Sequence, residues 1–445
     1  MPRLRSQSSC STADTTSSSM PDLEDGAKDS SGKNKTLRHG GWRRWHVRTS
    51  FVWGVWAVVF AWGELGAGMY AMHSCDWAYG DRKEYHLAVI ADPQLTDFYS
   101  YDMVKGSWVL WLTEFYSDLY MRRHFSLLAR KANPPHGVML LGDLFDGGKY
   151  IHQVIPSAHV VPRVDVGRVL SRDEHAMHQQ RFEWIFGGYP HIQFWNMSGN
   201  HDVGIRQWNS KYANKRHQDT FGLTQYAVVL GHVEIVVVDA IGLLSNDDAV
   251  RADAMTFVQT YGSMKAKRQF PRLLFSHIPL FRPPHSPCGP RRQKAPIAPG
   301  RGVSYENVLS PELTAMILDA VEPIHVFSGD DHTPCTYHHE AFNVTEDSLA
   351  TFSWLQGERH PELSMLSLQG SPYTSPSMHI HTCALPDQMG IYLGYACLGV
   401  VSVVYLALGR HAHVPSQKRS VAFSCAVIVA PILAWYCVLL MLSLL

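Results

Sequence analysis

The stretch Asn196-Met-Ser-Gly-Asn-His-Asp-Val-Gly204 decides how the rest of this chain is read. Apolar residues from Ile192 to Met197 predict a short strand, and Ser198-Gly199 a tight turn at its end. Asn200, His201 and Asp202 are then set down together just past the strand. An amide oxygen and an imidazole fixed side by side on a rigid element suit metal-assisted phosphoryl chemistry. Alone, a His-Asp pair in a turn is as often a hydrogen-bonded loop, so the reading depends on what surrounds it.

Four further apolar runs end in the same way. Leu87-Ala-Val-Ile-Ala91 runs into Asp92-Pro-Gln94. Val138-Met-Leu-Leu141 precedes Gly142-Asp143-Leu-Phe-Asp146. Leu273-Leu-Phe275 leads to Ser276 and His277, and Ile324-His-Val-Phe327 to Ser328-Gly-Asp-Asp-His332. An Asp after a strand is often a helix N-cap, and a lone His is usually a satisfied structural residue. Five such ends in one order, three with glycine beside the polar residue, are a pattern rather than coincidence.

Between these strands the periodicity turns helical. Helices are expected over Trp108–Ala132, Asp173–Phe186, from about Asp248, and over Pro311–Val321, with another strand at Val233–Val238. This alternation predicts an α/β layered sheet fold with its site at strand ends. The Pro/Arg-rich stretch Phe281–Arg301 has no periodicity and reads as a long loop over the site.

The flanks are of another kind. Residues 1 to about 41 are rich in Ser, Thr, Asp, Lys and Gly and carry almost no aliphatic residues, so they read as a disordered tail. Arg38, Arg43, Arg44 and Arg48 follow, and then Phe51 to Met72, long enough to cross a bilayer, with tryptophans near its ends and one costly interruption at Glu64. A cleaved signal peptide is the weaker reading because the polar leader is long. Met389–Leu408 and Val421–Leu442 are two more apolar runs, with Arg410, His411, His413, Lys418 and Arg419 between them. Positive charge before the first run and between the last two puts both segments in the cytosol and residues 80–385 in a lumen. The expected order is thus a tail (1–45), a span (50–72), a luminal domain (80–385), a span (388–408), a cytosolic loop (409–420) and a span (421–442).

Lys+Arg and Asp+Glu are both 39, so the net charge is zero and nothing favours nucleic acid as partner. Cys10 falls in the tail and Cys397, Cys425 and Cys437 in spans, leaving Cys75, Cys288, Cys335 and Cys383, which allow three pairings. Cys75 follows one span and Cys383 precedes another, so both are expected at one membrane surface and bonded across the neck of the domain, with Cys288 near Cys335. Asn343-Val-Thr345 is a glycosylation acceptor by pattern. Asn196-Met-Ser198 shares the pattern but lies on the strand, where a glycan has no room.

On these motifs the chain resembles the calcineurin-like metallophosphoesterase superfamily, whose pattern is D-x-H, GD, GNH(D/E), H and GHxH. Within it the resemblance is greatest to membrane-anchored phosphoesterases that remove ethanolamine phosphate from GPI glycans. The stretches carrying it are Ala91–Gln94, Leu141–Asp146, Ser276–Pro283, Tyr305–Leu313 and, most specifically, Phe327-Ser-Gly-Asp-Asp-His332. The resemblance implies a four-layer α/β/β/α sandwich with flanking transmembrane helices, holding two divalent ions. Asp92, Gln94 and His332 would hold one ion, Asp143 would bridge, and Asn200, His277 and Asp330 would hold the other. Gln94 and Asp330 stand where the wider superfamily usually has histidine, and both departures fit the GPI-remodelling branch. Exchanging imidazole for oxygen makes the site harder and favours Mn²⁺ over Zn²⁺. Asp331 competes with Asp330 for its role.

Two cations about 3.5–4 Å apart would activate water and clamp the phosphate oxygens. His201, not needed as a ligand, would protonate the leaving alkoxide. Asp202 either orients His201 or holds the turn, and Arg206 and Arg282 are candidates for phosphate contact. The implied substrate is the GPI lipid or a GPI-anchored protein, and the implied location is the endoplasmic reticulum or early Golgi membrane. The competing readings are a phosphatase for another luminal phosphoester and a non-catalytic cargo adaptor or manganese sensor on the same fold.

Overall fold

The computed structural model describes residues 31–78, 84–100, 106–147, 170–302, 304–371, 374–410 and 421–444. Most of the expected strands of the catalytic segment share one internal logic, a short and mainly apolar run buried on both faces; β3 (Gln193–Asn196), at the sheet edge, is the exception, with Gln193 exposed and Phe194 and Asn196 half-buried. Period-two alternation then sends the side chains of such a strand into two different cores. In β1 (Tyr85–Ile90), Leu87 and Val89 face one core and Ala88 and Ile90 the other. β2 (Gly137–Leu140) divides Met139 from Val138 and Leu140 in the same way.

Helix α3 (Trp108–Ala129) connects β1 to β2, and α4 (Arg172–Phe186) connects β2 to β3 (Gln193–Asn196). α4 starts at a capping box, Ser171 accepting from the Glu174 amide while Glu174 accepts from the Ser171 amide. The three strands are parallel, and β1 also pairs antiparallel with β10 (Glu362–Ser371), which pairs with β11 (Thr374–Ala384). The first sheet therefore runs β11-β10-β1-β2-β3.

A second βαβ series builds the other sheet. After α5 (Asn200–Val203), α6 (Lys211–Phe221) and β4 (Tyr226–Leu230) come β5 (Val233–Val238), α7 (Ala240–Leu243), α8 (Asp248–Ser263) and β6 (Arg272–Ser276). α9 (Pro311–Val321), β7 (His325–Ser328), β8 (Cys335–His339) and β9 (Val344–Ser348) complete it, in the order β4-β5-β6-β7-β9-β8. Val233, Ile235, Val237, Leu273, Phe275 and Phe327 meet the inner face of the first sheet, while Val236, Leu274 and Val326 pack under α8 and α9. The result is four layers, helix on sheet on sheet on helix. In both sheets the parallel strands deliver their C-terminal ends to one side.

The apolar flanks form helices: α1 (Ser31–Ala61) passes through a π turn at Trp62–Gly66 into α2 (Ala67–His73), and α10 (Gln388–Arg410) and α11 (Val421–Leu444) follow the domain. Trp45–His73, Gln388–Leu408 and Cys425–Ser443 are each long and apolar enough to cross a membrane. They are joined by indole N–H donors, Trp53 to the Ile428 carbonyl and Trp56 to Ser402, both at 3.1 Å. Glu64, the awkward acid, sits in the π turn and is 3% exposed. Its carboxylate accepts from Arg123 of α3 at 2.6 Å and from the Tyr395 hydroxyl of α10 at 3.0 Å.

Some expectations change. Ser31–Gly41, expected within a disordered tail, continue α1; once the apolar turns have nucleated a helix, further residues need only propagate it, a contribution composition does not show. Residues 1–30, Cys10 among them, and the charged loop from His411 to Ser420 lie outside the described residues. The segment Phe281–Arg301 has no helix or strand and is tied down by the Cys288–Cys335 disulfide. Cys75 is bonded to Cys383, joining the end of α2 to β11 across 308 residues. Asn343 is exposed, in a left-handed turn immediately before β9.

Candidate metal centre

Asp92 follows β1, Asp143 follows β2, Asn200 follows β3, His277 follows β6, and Asp330 and His332 follow β7. Among the described residues, Asp92, Asp143 and His277 bring ligand atoms within 4.8 Å of one another, all three buried. His277 is the hub. Its Nδ1 donates to the Leu141 carbonyl at 2.6 Å, which fixes the tautomer and leaves Nε2 to face the cluster. From Nε2 it is 3.0 Å to Asn200 Oδ1, 3.4 Å to Asp143 Oδ1 and 3.5 Å to Asp330 Oδ1. Asp92 lies 3.9 Å from the Nδ1 side and accepts from the Asp330 amide. Gln94 donates from its amide nitrogen to Asp143 Oδ2 at 2.9 Å.

The backbone is bent to bring these groups together. Asp92, Gln94, Asp143, Asp330 and His332 all have positive φ, between 39° and 65°. Non-glycine residues adopt that region only where surrounding structure holds them, and such strain collects at functional sites. Glycine is required alongside: a methyl added at Gly199 would collide with Asp143, and Gly142, at φ 91°, lies against Gly199 and the His277 ring.

The charge balance asks for cations. Burial pushes the Asp92 carboxyl well above its usual range; His277 opposes that rise, and the neighbouring Asp143 and Asp330 add to it. For Asp143, burial is outweighed by His201 and His277 with further help from His332, and its carboxyl is held below the usual range. Among the described residues Gln94 Oε1 is buried without a hydrogen-bond partner, an expensive state for an acceptor unless something else binds it. Three carboxylates, two amide oxygens and two imidazoles at strand tips fit divalent cations, with oxygen donors in the majority.

His201 lies just outside this cluster. Its backbone N–H donates to Asp143 Oδ1 at 2.9 Å, its Nδ1 sits 2.9 Å from the Asp146 carbonyl, and its Nε2 is 3.8 Å from Asp143 Oδ2. The Asp146 carbonyl thus orients the ring, a role that motif reading did not assign. Asp202 is engaged with the turn: its Oδ1 accepts from the Leu144 and Phe145 amides and its Oδ2 from the Gly199 amide. Of the adjacent acids, Asp330 faces His277, while Asp331 is paired with Arg292 from the long loop.

Neither arginine proposed for phosphate contact is free for it. Arg282 is fully buried, paired with Glu346 at 2.8 Å and hydrogen-bonded to the Cys335 sulfur at 2.9 Å. Arg206 binds Glu306 at 2.5 Å and the Gly302 and Tyr305 carbonyls, gripping the loop whose Ser304 carbonyl accepts from Asn200. Both guanidinium groups are buried and already held by a carboxylate, as a buried charge requires. Glu346 was missed for want of a local signal. It also accepts from Ser328 and the Leu280 amide, which ties β7 and the segment after β6 together from a strand recognisable only by its pairing.

No family model matches the chain. It is 26% identical over 364 residues to Cell division control protein 1 of Saccharomyces cerevisiae, covering 76% of this chain and 69% of that protein. It is 27% identical over 370 residues to Metallophosphoesterase 1 of Mus musculus, covering 77% and 84%, and 26% identical over 368 residues to the Cricetulus griseus protein of that name, covering 77% and 85%. The chain is thus similar over most of its length to metallophosphoesterases, and with a ligand cluster at strand tips in the order these motifs require it is a hydrolase of phosphoester bonds.

Proposed function

We propose that this protein removes ethanolamine phosphate from a mannose of GPI anchors, as a Mn²⁺-dependent phosphodiesterase held in the endoplasmic reticulum or early Golgi membrane with its catalytic domain in the lumen. The observation that carries the reading is that Gln94 and Asp330, oxygen donors where the wider superfamily has imidazoles, both border the Asp92–Asp143–His277 cluster. The apolar helices on either side of the domain support a substrate that is itself membrane-borne.

Asp92, Gln94, Asp143, Asn200, His277, Asp330 and His332 would hold two divalent ions, which when bound supply an activated water and neutralise phosphoryl charge. The protein's own work is positioning and proton movement. With Nδ1 directed at the Asp146 carbonyl, His201 presents Nε2 on the side of the cluster and can deliver its proton to the departing sugar oxygen. Asp202 keeps that geometry by pinning the turn to the segment after β2.

Mass spectrometry of GPI glycans from cells lacking the protein tests this. Ethanolamine phosphate retained on one mannose, restored to normal by the wild-type chain and not by His201→Ala, is the expected result. An unchanged glycan removes the substrate assignment, and rescue by His201→Ala removes the catalytic one.

A further inference from the structure

Helix α3 begins with Trp108-Val-Leu-Trp-Leu-Thr-Glu-Phe-Tyr116, capped by Ser107. Trp108, Trp111 and Phe115 share one face at i, i+3, i+7 spacing. Among the described residues that face is largely uncovered: Trp108 is 74% exposed and Trp111 63%, and the Trp111 ring stacks on Phe115. Phe98, 44% exposed, comes from the same β1–α3 connection. The first charged residue in the helix is Glu114.

The adjoining stripe of α3 shows what lies beside this face. Tyr116 meets the Tyr436 hydroxyl of α11 at 3.2 Å and the Tyr392 ring of α10 edge-on, and Arg123 donates to Ser443 of α11 at 2.9 Å. Both α3–α11 contacts join residues 320 apart in sequence, so the two helices run side by side in the same direction over about two turns. Ser443 is at the end of α11 and Tyr436 lies further back along its apolar length. Followed toward its own N-terminus, α3 therefore carries Trp111 and Trp108 away from the domain end of α11, along the flank of the apolar bundle. Tryptophan on an apolar, nearly charge-free helix end is the composition of a membrane interface.

We propose that the first two turns of α3 lie against the bilayer beside the apolar bundle, with Trp108, Trp111 and Phe98 in contact with lipid. This is a membrane contact additional to the three apolar spans. It bears on chemistry because Phe98 is only four residues beyond Gln94, so one short segment carries both a candidate metal ligand and the lipid contact. The consequence for catalysis, a metal centre held against the membrane surface for glycolipid phosphoesters, rests on the substrate reading above; the lipid contact does not.

The test uses the full-length protein in phosphatidylcholine nanodiscs containing a diazirine-bearing phosphatidylcholine. After irradiation, peptide mapping is expected to find lipid adducts within residues 107–116 as well as in the spans; adducts confined to the spans overturn the proposal. In a second arm, the Trp108→Ser/Trp111→Ser variant is compared with wild type on soluble bis(p-nitrophenyl) phosphate and on an ethanolamine-phosphate-bearing GPI glycolipid in the nanodisc. Unchanged turnover of the soluble diester with about a tenfold loss on the glycolipid is expected from a weakened lipid contact. Equal losses on both substrates, or none on either, overturn the role of that contact. Adducts on α3 with no glycolipid hydrolysis by wild type leave the lipid contact standing and remove the substrate reading alone.

Discussion

The Gln94 side chain donates to Asp143 at 2.9 Å, and its own Oε1 is buried with no hydrogen-bond partner among the described residues. An acceptor in that state is satisfied by a cation, so metal removal should cost both activity and stability. Treatment with EDTA is expected to abolish hydrolysis of bis(p-nitrophenyl) phosphate and lower the Tm, with Mn²⁺ restoring both.

Changing that one donor should change metal choice. Gln94→Ala is expected to weaken Mn²⁺ binding by at least about tenfold, and Gln94→His to move the Mn²⁺/Zn²⁺ preference toward zinc by a similar factor. Calorimetric titration of the chelated protein with each metal measures both, and an unaltered preference in Gln94→His would contradict a ligand role.

His201 and Asp202 are neighbours with different work. His201→Ala is expected to lower kcat by about 10²–10⁴-fold with metal content intact, as loss of a general acid does. Asp202→Ala strips acceptors from the Leu144, Phe145 and Gly199 amides and is expected to lower unfolding stability by about 2–4 kcal/mol as well. Metal analysis and thermal unfolding of the two variants separate the roles.

Glu64 and Arg123 form a buried pair at 2.6 Å, with side chains 0% and 10% exposed. Removing one partner leaves a charge without its counterion, so Arg123→Ala is expected to destabilise the detergent-solubilised protein by about 3–5 kcal/mol. Glu64→Gln combined with Arg123→Met should recover much of that loss. Thermal unfolding of the single and double variants is the measurement.

Buried histidines make the stability of the domain depend on pH. Burial holds His124 down to about 4, and burial aided by His175 and Arg216 holds His217 down to about 3. Below the unfolded value near 6.5 the unfolded chain takes up protons that the folded one refuses. Stability is therefore full above pH 6.5 and falls by about 1.4 kcal/mol per unit for each histidine as pH drops toward their folded values. Asp97, pushed up to about 6 chiefly by burial, works in the opposite sense, favouring the folded state as pH falls below 6. His175 and His178, also held down to about 4 chiefly by burial, act with His124 and His217, and Asp202, pushed up to about 7 chiefly by burial, acts with Asp97. The measurable part is the single-residue difference: removing one such histidine is expected to make the change in Tm from pH 7 to pH 5 more favourable in His217→Gln than in wild type.

Much of the site was legible from local pattern alone. A strand buried on both faces is mainly apolar and stops where polar residues begin, so Asp92, Asp143, His277 and Asp330 announced themselves as strand ends; Asn200 did so through the Ser198-Gly199 turn before it. β8, β9, β10 and β11 did not: β10 is specified by its pairing with β1, some 280 residues earlier, and β9 by its place beside β7, relations no sequence window contains. α6, whose residues are mostly polar, was missed for a different reason, since its burial is limited to a few positions such as Ala213, Asn214 and His217.

The amino-acid sequence by itself determined the apolar helices, the alternation of strand and helix and the order of the polar strand ends, because each depends on periodicity within a dozen or so residues. Only tertiary structure decided which of two adjacent acids faces His277, that Asp202 engages the turn, and that Arg282 belongs to Glu346. Those outcomes depend on which distant group arrives within hydrogen-bond reach once the chain has folded. The Glu64 interruption shows both sides: its cost is plain in the sequence, while the Arg123 and Tyr395 that offset it come from helices far along the chain.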